Sequence, residues 1–439
     1  MTVGSSAKNP DEGPGVASRP EILYVAHRLP YPPDKGDRIR TFHVLRSLSS
    51  RAAVHLACLA DEEPDDAAVD SLRRYCERIA VVRLGRVTRG ARTMASLVFG
   101  GTATEGAFGN PSLRRILRLW AGETRFTAAL ASSSGVAQYL RIEELREIPA
   151  VVDLMDVDSQ KWLDYAATTR GPRSWLYGIE GSRMRRLEAG LSDSMSALTL
   201  VTEAEADIYR RFRPDGPVHA IPNGVDQSYF RPDPPEAESG CVFVGAFDYR
   251  PNVDGACWFC REAWPGILDR SPGVRLALVG RRPSPVVRGL ARLEGVDVVG
   301  EVPDVRPYLA GAAVVLAPLR IARGVQNKVL EALAMGKAVV ASPQALEGLN
   351  VDSGVHLLVA STPEDWSNVV THLLETPDLR RRLGESGRRY IEENHQWDRC
   401  LEPFARLLGL PARALEAGRP LVSERQALGM DDPCFQLRN

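Results

Sequence analysis

Short apolar runs alternate with helical patterns along most of the chain, in two series. A polar linker at 232–239, P-D-P-P-E-A-E-S, separates the two series. The first series comprises residues 22–26, 53–59, 79–84, 126–131, 149–154 and 197–201. The second comprises residues 241–244, 274–280, 296–299, 312–317 and 337–341. Alternation of this kind is typical of parallel sheets wrapped by helices. We therefore predict an α/β protein with two doubly wound sheets that face each other, and a ligand where the carboxyl ends of their strands meet.

Composition narrows the class of partner. The chain has 439 residues, enough for two to three domains, and its 55 Lys and Arg nearly balance its 56 Asp and Glu. No excess of positive charge points to nucleic acid, so none is expected as a partner. Seven cysteines, including an isolated C-x-x-C at 257–260, indicate a reducing compartment without disulfides, metal or redox centre. The N-terminus lacks a signal-peptide pattern and no apolar run is long enough to span a bilayer, so we predict a cytoplasmic protein.

The most specific local pattern lies at 320–342, R-I-A-R-G-V-Q-N-K-V-L-E-A-L-A-M-G-K-A-V-V-A-S. A turn at Gly324 precedes a helix that carries Lys328 and Glu331 and ends at Gly336. The positive end of that helix suits a diphosphate, Lys328 adds a charge, and Glu331 can accept hydrogen bonds from ribose hydroxyls. The alternative is an ordinary amphipathic helix with a solvated lysine and glutamate.

A second candidate site lies in the loop after the first predicted strand. Gly36 permits a turn close to a phosphate. Arg38 and Arg40 begin the next helix, where the diphosphate of a donor or the charge of an acceptor could lie. The alternative is that both arginines are solvated surface charges.

These motifs resemble the family 4 retaining glycosyltransferases, which have the GT-B fold. V-L-E-A-L-A-M-G-K-A-V-V-A is similar to their signature, and further ordered matches occur at 29–38, 221–226, 242–245, 249–252, 277–280 and 300–305. The spelling D-L-M-D-V-D-S-Q-K-W from 153 and R-G-V-Q-N-K from 323 resembles the sugar transferases associated with exosortase-type exopolysaccharide loci.

Composition, pattern and the resemblance together predict a domain layout. It comprises a polar, disordered tail at 1–20, an acceptor-side Rossmann-like domain at 21–232, a nucleotide-sugar-binding Rossmann-like domain at 233–395, a closing helix at 396–412 that returns to the first domain, and a tail at 413–439 without a periodic pattern, which stays unassigned. The resemblance also implies a donor site formed by Gly36, Gly245, Arg250, Asn252, Gly324, Val325, Lys328 and Glu331.

The activity implied is that of a retaining, metal-independent, hexosyltransferase-like enzyme (EC 2.4). It would move a sugar from a nucleotide diphosphate donor to a glycan or lipid-linked acceptor in exopolysaccharide or cell-surface glycan synthesis, with no cofactor. Two alternatives stay open, a nucleotide-sugar epimerase of the same fold and a sugar-nucleotide-binding protein without catalysis.

Asp156 and Asp158 follow a predicted strand and spell the D-x-D with which metal-dependent transferases of another fold hold a divalent ion. That class has one sheet and no helix of the Glu331 type, so we predict no metal. In the family that the chain resembles, a residue near this position faces the reaction centre from the acceptor side. Asp156 or Asp158 could orient the acceptor hydroxyl or take its proton, unless Asp158 only caps the next helix.

One position departs from the family pattern. Many members carry two glutamates eight positions apart, and the residue eight before Glu331 is Arg323. The arginine and lysine that many relatives place after the glycine equivalent to Gly245 are also missing. Arg250, Arg323 and Lys328 are the available substitutes, so we predict that Arg323 stabilises the leaving diphosphate.

Residues 111–120, P-S-L-R-R-I-L-R-L-W, predict a basic amphipathic helix of the kind that lies on anionic lipid at the inner face of a membrane. The alternative is that the apolar face of this helix packs on the first sheet.

Overall fold

The computed structural model describes residues 19–33, 36–232, 237–322 and 324–411. A first sheet of seven parallel strands has the order β3-β2-β1-β4-β5-β6-β7. Its strands are β1 (Glu21–Ala26), β2 (Ala53–Ala60), β3 (Arg78–Arg83), β4 (Ala128–Ser132), β5 (Ala150–Met155), β6 (Ala197–Leu200) and β7 (Val218–Ala220). The central strands are apolar along nearly their whole length because helices cover both faces.

Eight helices of this part of the chain surround the first sheet. They are α1 (Gly36–Ser49), α2 (Asp66–Arg73), α3 (Arg86–Val98), α4 (Ala103–Phe108), α5 (Pro111–Glu123), α6 (Asp158–Thr168), α7 (Pro172–Leu191) and α8 (Glu203–Arg210). Separate apolar clusters lie on the two faces of the sheet.

A second sheet of six parallel strands has the order β10-β9-β8-β11-β12-β13. Its strands are β8 (Cys241–Val244), β9 (Leu276–Val279), β10 (Val296–Gly300), β11 (Val314–Ala317), β12 (Val339–Ala341) and β13 (Leu358–Val359). Its helices are α9 (Arg250–Trp258), α10 (Trp264–Arg270), α11 (Pro285–Arg288), α12 (Arg306–Gly311), α13 (Asn327–Ala334), α14 (Pro363–Glu375) and α15 (Pro377–Asn394). A π-helical turn at Phe259–Ala263 connects α9 to α10. One continuous apolar core holds this sheet and its helices together.

The chain crosses between the two sheets twice, at adjacent places. The backbone of Val225 donates to the carbonyl of His395 at 2.9 Å, and Val225 forms a parallel bridge with Gln396. Helices α16 (Trp397–Cys400) and α17 (Glu402–Leu407) follow and pack into the core of the first domain. There the indole of Trp397 stacks on the imidazole of His43 at 4.2 Å.

The prediction of an α/β fold with two doubly wound, Rossmann-like sheets is confirmed. All the predicted apolar runs contain strands, whereas β7 and β13 were not predicted, because runs of three and two residues carry no periodic signal.

The apolar face of α5 is not available to a membrane. Leu113 and Leu117 are fully buried in the first domain, while Arg114 donates to Gln138 and Arg118 pairs with Glu144. The prediction that this helix lies on lipid is therefore wrong, because its apolar side chains are needed to cover the sheet. Among the described residues, no helix is both long and apolar enough to cross a bilayer.

Candidate functional site

The strand orders place one switch point in each sheet. The switch point of the first sheet lies between the adjacent strands β1 and β4, and that of the second lies between β8 and β11. From each of these pairs the chain adds its next strands in opposite directions across the sheet. Loops that leave such strands at their carboxyl ends move apart and open a crevice, which is where ligands bind in open α/β sheets. The loop before Gly36 follows β1, the turn at Gly245 follows β8, and the loop containing Gly324 follows β11. The three glycines predicted to bind the donor therefore lie in, or directly after, segments that leave the sheets at their switch points.

On the wall formed by the second sheet, Asn252 links a turn to a helix. Its Nδ2 donates to the carbonyl of Ala246 at 2.8 Å, and its Oδ1 accepts from Nζ of Lys328 at 2.5 Å. Lys328 and Glu331 are three residues apart on α13 and so share one face of that helix. A cation, an amide and a carboxylate thus line one wall beside the Gly245 turn.

The environment of this pair brings both titrations near neutral pH. Burial raises the pKa of Glu331 to about 7, although the Lys328 ammonium opposes the shift. Burial also lowers the pKa of Lys328 to about 8, although the Glu331 carboxylate opposes it. Burial therefore makes the charged form of each group costly, and perturbed groups of this kind are concentrated at functional sites.

Glycine is required where β8 and β9 end. Gly280 has φ +148°, and a Cβ added there would lie 1.8 Å from the carbonyl oxygen of Gly245. A Cβ on Gly245 would in turn approach Nδ2 of Asn252 to 2.9 Å. The two strand ends therefore meet backbone to backbone, and the amide of Gly245 donates within the sheet, to the carbonyl of Val279 at 2.9 Å.

Two close approaches bring the walls of the cleft together. Gly324 is buried with φ +64°, and a Cβ there would lie 2.8 Å from Oδ1 of Asp156. A Cβ on Gly36 would lie 3.8 Å from Nδ2 of Asn327, the first residue of α13. The helix begins three residues after Gly324, so its free amides belong to the residues near Asn327. Val325 packs beside the core of the second domain.

The wall formed by the first domain carries two carboxylates and a lysine. Burial raises the pKa of Asp156 to about 6, Glu205 adds to the shift, and Lys161 opposes it. Asp158 accepts from Oγ of Ser134 at 2.8 Å. Burial disfavours the charged form of Lys161, but Asp158 and Asp156 outweigh it and raise the pKa of the lysine. Asp156 is thus a carboxylate with a pKa close enough to neutrality for proton exchange.

The backbone on this wall is strained. Ser133 and Met155 have φ of +86° and +67°, a region that residues other than glycine rarely adopt. Ser133 directly follows β4, and Met155 is the last residue of β5. The register of β5 against β6 shifts between Asp153 and Met155. Strain of this kind concentrates where side chains are held for function, here just before Asp156 and Ser134.

Asp158 does not cap its helix. It is the first residue of α6, and the N-cap position is taken by Val157, whose amide donates to Glu205 at 2.7 Å. The alternative interpretation of Asp158 as an N-cap is therefore wrong.

Arg40 is part of the fold and not of the cleft. It is 1% exposed and forms a bidentate pair with Asp153, at 2.8 and 3.0 Å. Its Nη1 donates to the carbonyl of Ile221 and to Oδ1 of Asn223, both at 2.9 Å. The prediction that Arg40 faces an acceptor is wrong, because a buried guanidinium must satisfy its donors inside the protein. Arg38, two residues earlier, is half-buried.

The structure describes only one of the two arginines predicted to contact the diphosphate, Arg250 and not Arg323. Arg250 is the exposed first residue of α9, close along the chain to the Gly245 turn. Arg323 lies outside the described residues, so its predicted role stays a prediction.

A polar cluster that was not predicted from the sequence joins the end of β1 to the beginning of α1. Nε2 of His27 donates to Oδ2 of Asp37 at 3.1 Å, and Nδ1 of His27 lies 3.1 Å from the carbonyl oxygen of Ser132. Arg28 donates to the same Oδ2 at 2.6 Å. Burial disfavours the Asp37 carboxylate, but His27 and Arg28 outweigh it and lower its pKa well below the ordinary value. The ten-residue separation of His27 and Asp37 is the only signal that could have paired them.

Metal ligands do not converge. In the described ranges, no three His, Cys, Asp or Glu side chains are grouped so as to hold a metal ion.

Comparison with known proteins agrees with this geometry. Residues 238–376 match the family model "Glycosyl transferases group 1". The second domain is therefore similar to this family over most of its length. A "Glycosyltransferase 1 domain-containing protein 1" from Xenopus tropicalis is 25% identical over 137 residues, which are 30% of this chain and 39% of that protein. The chain thus matches well under half the length of this relative.

Solved glycosyltransferases share the whole architecture. Sucrose-phosphate synthase from Thermosynechococcus elongatus superposes with a TM-score of 0.65 at 16% identity, over 89% of this chain and 98% of that one. HepE from Anabaena, solved in complex with UDP and glucose, superposes with a TM-score of 0.62 at 14% identity, over 89% and 99%. These likenesses establish the two-sheet GT-B fold.

Proposed function

We propose that this protein is a retaining glycosyltransferase that moves a sugar from a nucleotide diphosphate donor to an acceptor hydroxyl. The observation that carries the proposal is the position of Lys328 and Glu331, on one face of α13 beside the Gly245 turn, with Asp156 across the cleft beside Gly324. In this proposal Lys328 supplies a cation for the diphosphate, Glu331 accepts hydrogen bonds from the ribose hydroxyls, and Asp156 meets the hydroxyl of the acceptor substrate.

The donor half of the proposal follows from charge. Lys328 and the amides at the start of α13 would hold the diphosphate, and Glu331 would accept hydrogen bonds from the ribose hydroxyls. As the bond from the sugar to the diphosphate breaks, negative charge grows on the leaving oxygen. Cations and amides already fixed in place stabilise that charge more than they stabilise the bound donor.

The acceptor half assigns Asp156 to the incoming hydroxyl. A carboxylate with a pKa of about 6 is ionised at neutral pH and can orient an O–H group by accepting its hydrogen bond. We infer attack on the same face that the diphosphate leaves. The bond from the acceptor oxygen to the sugar forms, the bond from the sugar to the diphosphate breaks, and the acceptor proton passes to the departing phosphate oxygen.

The proposed substrates are a nucleotide diphosphate sugar and the hydroxyl of a glycan or lipid-linked glycan in exopolysaccharide or cell-surface glycan synthesis. Because HepE was solved with UDP and glucose, UDP-sugars are the first donors to test. The proposed reaction needs neither cofactor nor metal, since Lys328 and the helix amides supply the positive charge. Activity in excess chelator is therefore expected to equal activity with added magnesium or manganese.

Incubation with a panel of labelled nucleotide sugars and glycan acceptors tests the proposal. Transfer of the label to an acceptor, or slow hydrolysis without one, is the expected result. Formation of an epimer would support the epimerase alternative, and binding without turnover would support a binding protein. Loss of transfer in chelator, restored by manganese, would contradict the metal-independent mechanism.

A further inference from the structure

Helix α3 has its apolar side toward solvent. Val87, Met94 and Val98 are 86%, 62% and 72% exposed, and Phe99, which follows the helix, is 88% exposed. The three helical positions are spaced seven and four residues apart, so they form one stripe, to which Ala91 adds a further exposed apolar position.

The polar side of α3 faces the protein. Arg89 donates to Asp61 at 2.7 Å and lies over the ring of Phe108. Ser96 donates to the carbonyl of Thr102 at 2.7 Å. The helix is thus attached by polar contacts, the reverse of an ordinary surface helix, and its apolar stripe has no role in the core.

Further exposed apolar side chains lie at the beginning of α7, a helix that is attached to the end of α3. Nη1 of Arg183 donates to the carbonyls of Leu97 and Gly101, at 2.8 and 2.9 Å, which ties α7 to the end of α3. Leu176 lies seven residues before Arg183 and therefore on the same face of α7. Trp175 and Leu176 are 69% and 55% exposed. We call the exposed apolar side chains of α3 and of the first turn of α7 the apolar surface.

Positive charge borders the apolar surface. Arg86 at the start of α3, and Arg170 and Arg173 before Trp175, are all exposed. Residues 85–104 and 166–179 contain five arginines and no acidic residue. Apolar side chains bordered by arginines match a bilayer of anionic lipid, in which the former enter the acyl boundary and the latter meet the phosphates.

We propose that the apolar surface docks this protein on an anionic lipid bilayer. A second copy of the chain would place the arginines of two molecules against each other, which charge repulsion opposes, so a bilayer is the better match. The inward side of the same helix is connected to the first loop. Phe108, on which Arg89 lies, contacts the ring of His27 edge to face at 5.9 Å, and His27 begins the loop between β1 and α1.

Vesicle binding by the full chain tests the proposal. Sedimentation is measured with vesicles of phosphatidylcholine, with and without about 30% phosphatidylglycerol. We expect binding to the anionic vesicles, and this binding should weaken in high salt. Vesicles should also shift the fluorescence emission of Trp175 to shorter wavelength, and this shift should be missing when Trp175→Phe is measured in the same way. No binding to either vesicle would overturn the proposal.

Matched variants locate the surface. The double change Met94→Asp and Val98→Asp is expected to reduce vesicle partitioning at least about tenfold. Leu119→Asp, at an apolar site on α5 that is 55% exposed, should leave it unchanged. Both variants alter exposed side chains, and an unchanged circular dichroism spectrum and unfolding midpoint check that they fold. Equal partitioning of the double variant and the parent would contradict the assignment. So would a dimer in sedimentation velocity that the double variant dissociates.

Discussion

Nucleotide-sugar affinity should depend on pH through Glu331 and Lys328. The ribose contact requires the Glu331 carboxylate and the diphosphate contact requires the Lys328 ammonium. With pKa values of about 7 and about 8, both charges coexist best between these limits. One unit below the pKa of Glu331, about nine tenths of the protein carries a protonated carboxyl, so affinity should fall about tenfold at pH 6. The same argument gives a decline of about tenfold at pH 9, where Lys328 is neutral.

Isothermal titration with a nucleotide sugar measures this profile. The esterified diphosphate of such a donor keeps its charge over this range, so the titration reports the protein. Glu331→Gln should remove the acidic decline, and Lys328→Arg the alkaline one, because arginine stays charged. Glu364→Gln, at an exposed glutamate of α14, is the matched control and should keep both. The reasoning is refuted if the affinity of the parent between pH 7 and 8 exceeds its affinity at pH 6 and at pH 9 by less than about twofold.

Three further predictions concern residues that hold the cleft together. Arg40→Ala should lower the free energy of unfolding by about 3–5 kcal/mol, because it leaves the Asp153 carboxylate buried and unpaired; a loss below about 1 kcal/mol in urea unfolding would contradict this. Gly324→Ala should cost about 1–2 kcal/mol for its positive φ and lower turnover by pressing on Asp156; unchanged stability and turnover would count against the close approach. Asp156→Asn should lower kcat by about 10²-fold while nucleotide affinity is kept, and a variant with parental kcat would remove Asp156 from the mechanism.

The architecture could be predicted because period and spacing encode it. Buried parallel strands must be apolar on both faces, so β1, β4 and β5 are visible as continuous runs. Which side of an amphipathic helix is buried is harder to predict from the sequence. The α5 and α3 segments are both basic and amphipathic, yet α5 buries its apolar stripe and α3 exposes it. Only the tertiary contacts of the arginines, such as Arg89 with Asp61, distinguish them.

The candidate site was predictable where one segment carries several of its groups. Gly324, Lys328 and Glu331 lie within eight residues, so a loop and one helix face bring them together. Partners that meet only through the fold were not predictable. Arg40 is read as a surface charge until Asp153, 113 residues away, is found beside it. The approach of Asp156 to Gly324 likewise depends on how two separate domains face each other.

The two adjacent chain crossings between the sheets have a mechanical consequence. Val225 and His395 are hydrogen-bonded to each other, and a Cβ on Gly224 would lie 2.6 Å from the amide of Trp397. Two connections fixed side by side behave as a single hinge, which permits rotation of one domain against the other and resists sliding. Arg40 fixes one end of this hinge by donating to the carbonyl of Ile221. Opening the cleft would therefore separate Asp156 from Gly324 along an arc, and closing would return the Asp156 carboxylate to the Gly324 loop in the same register each time.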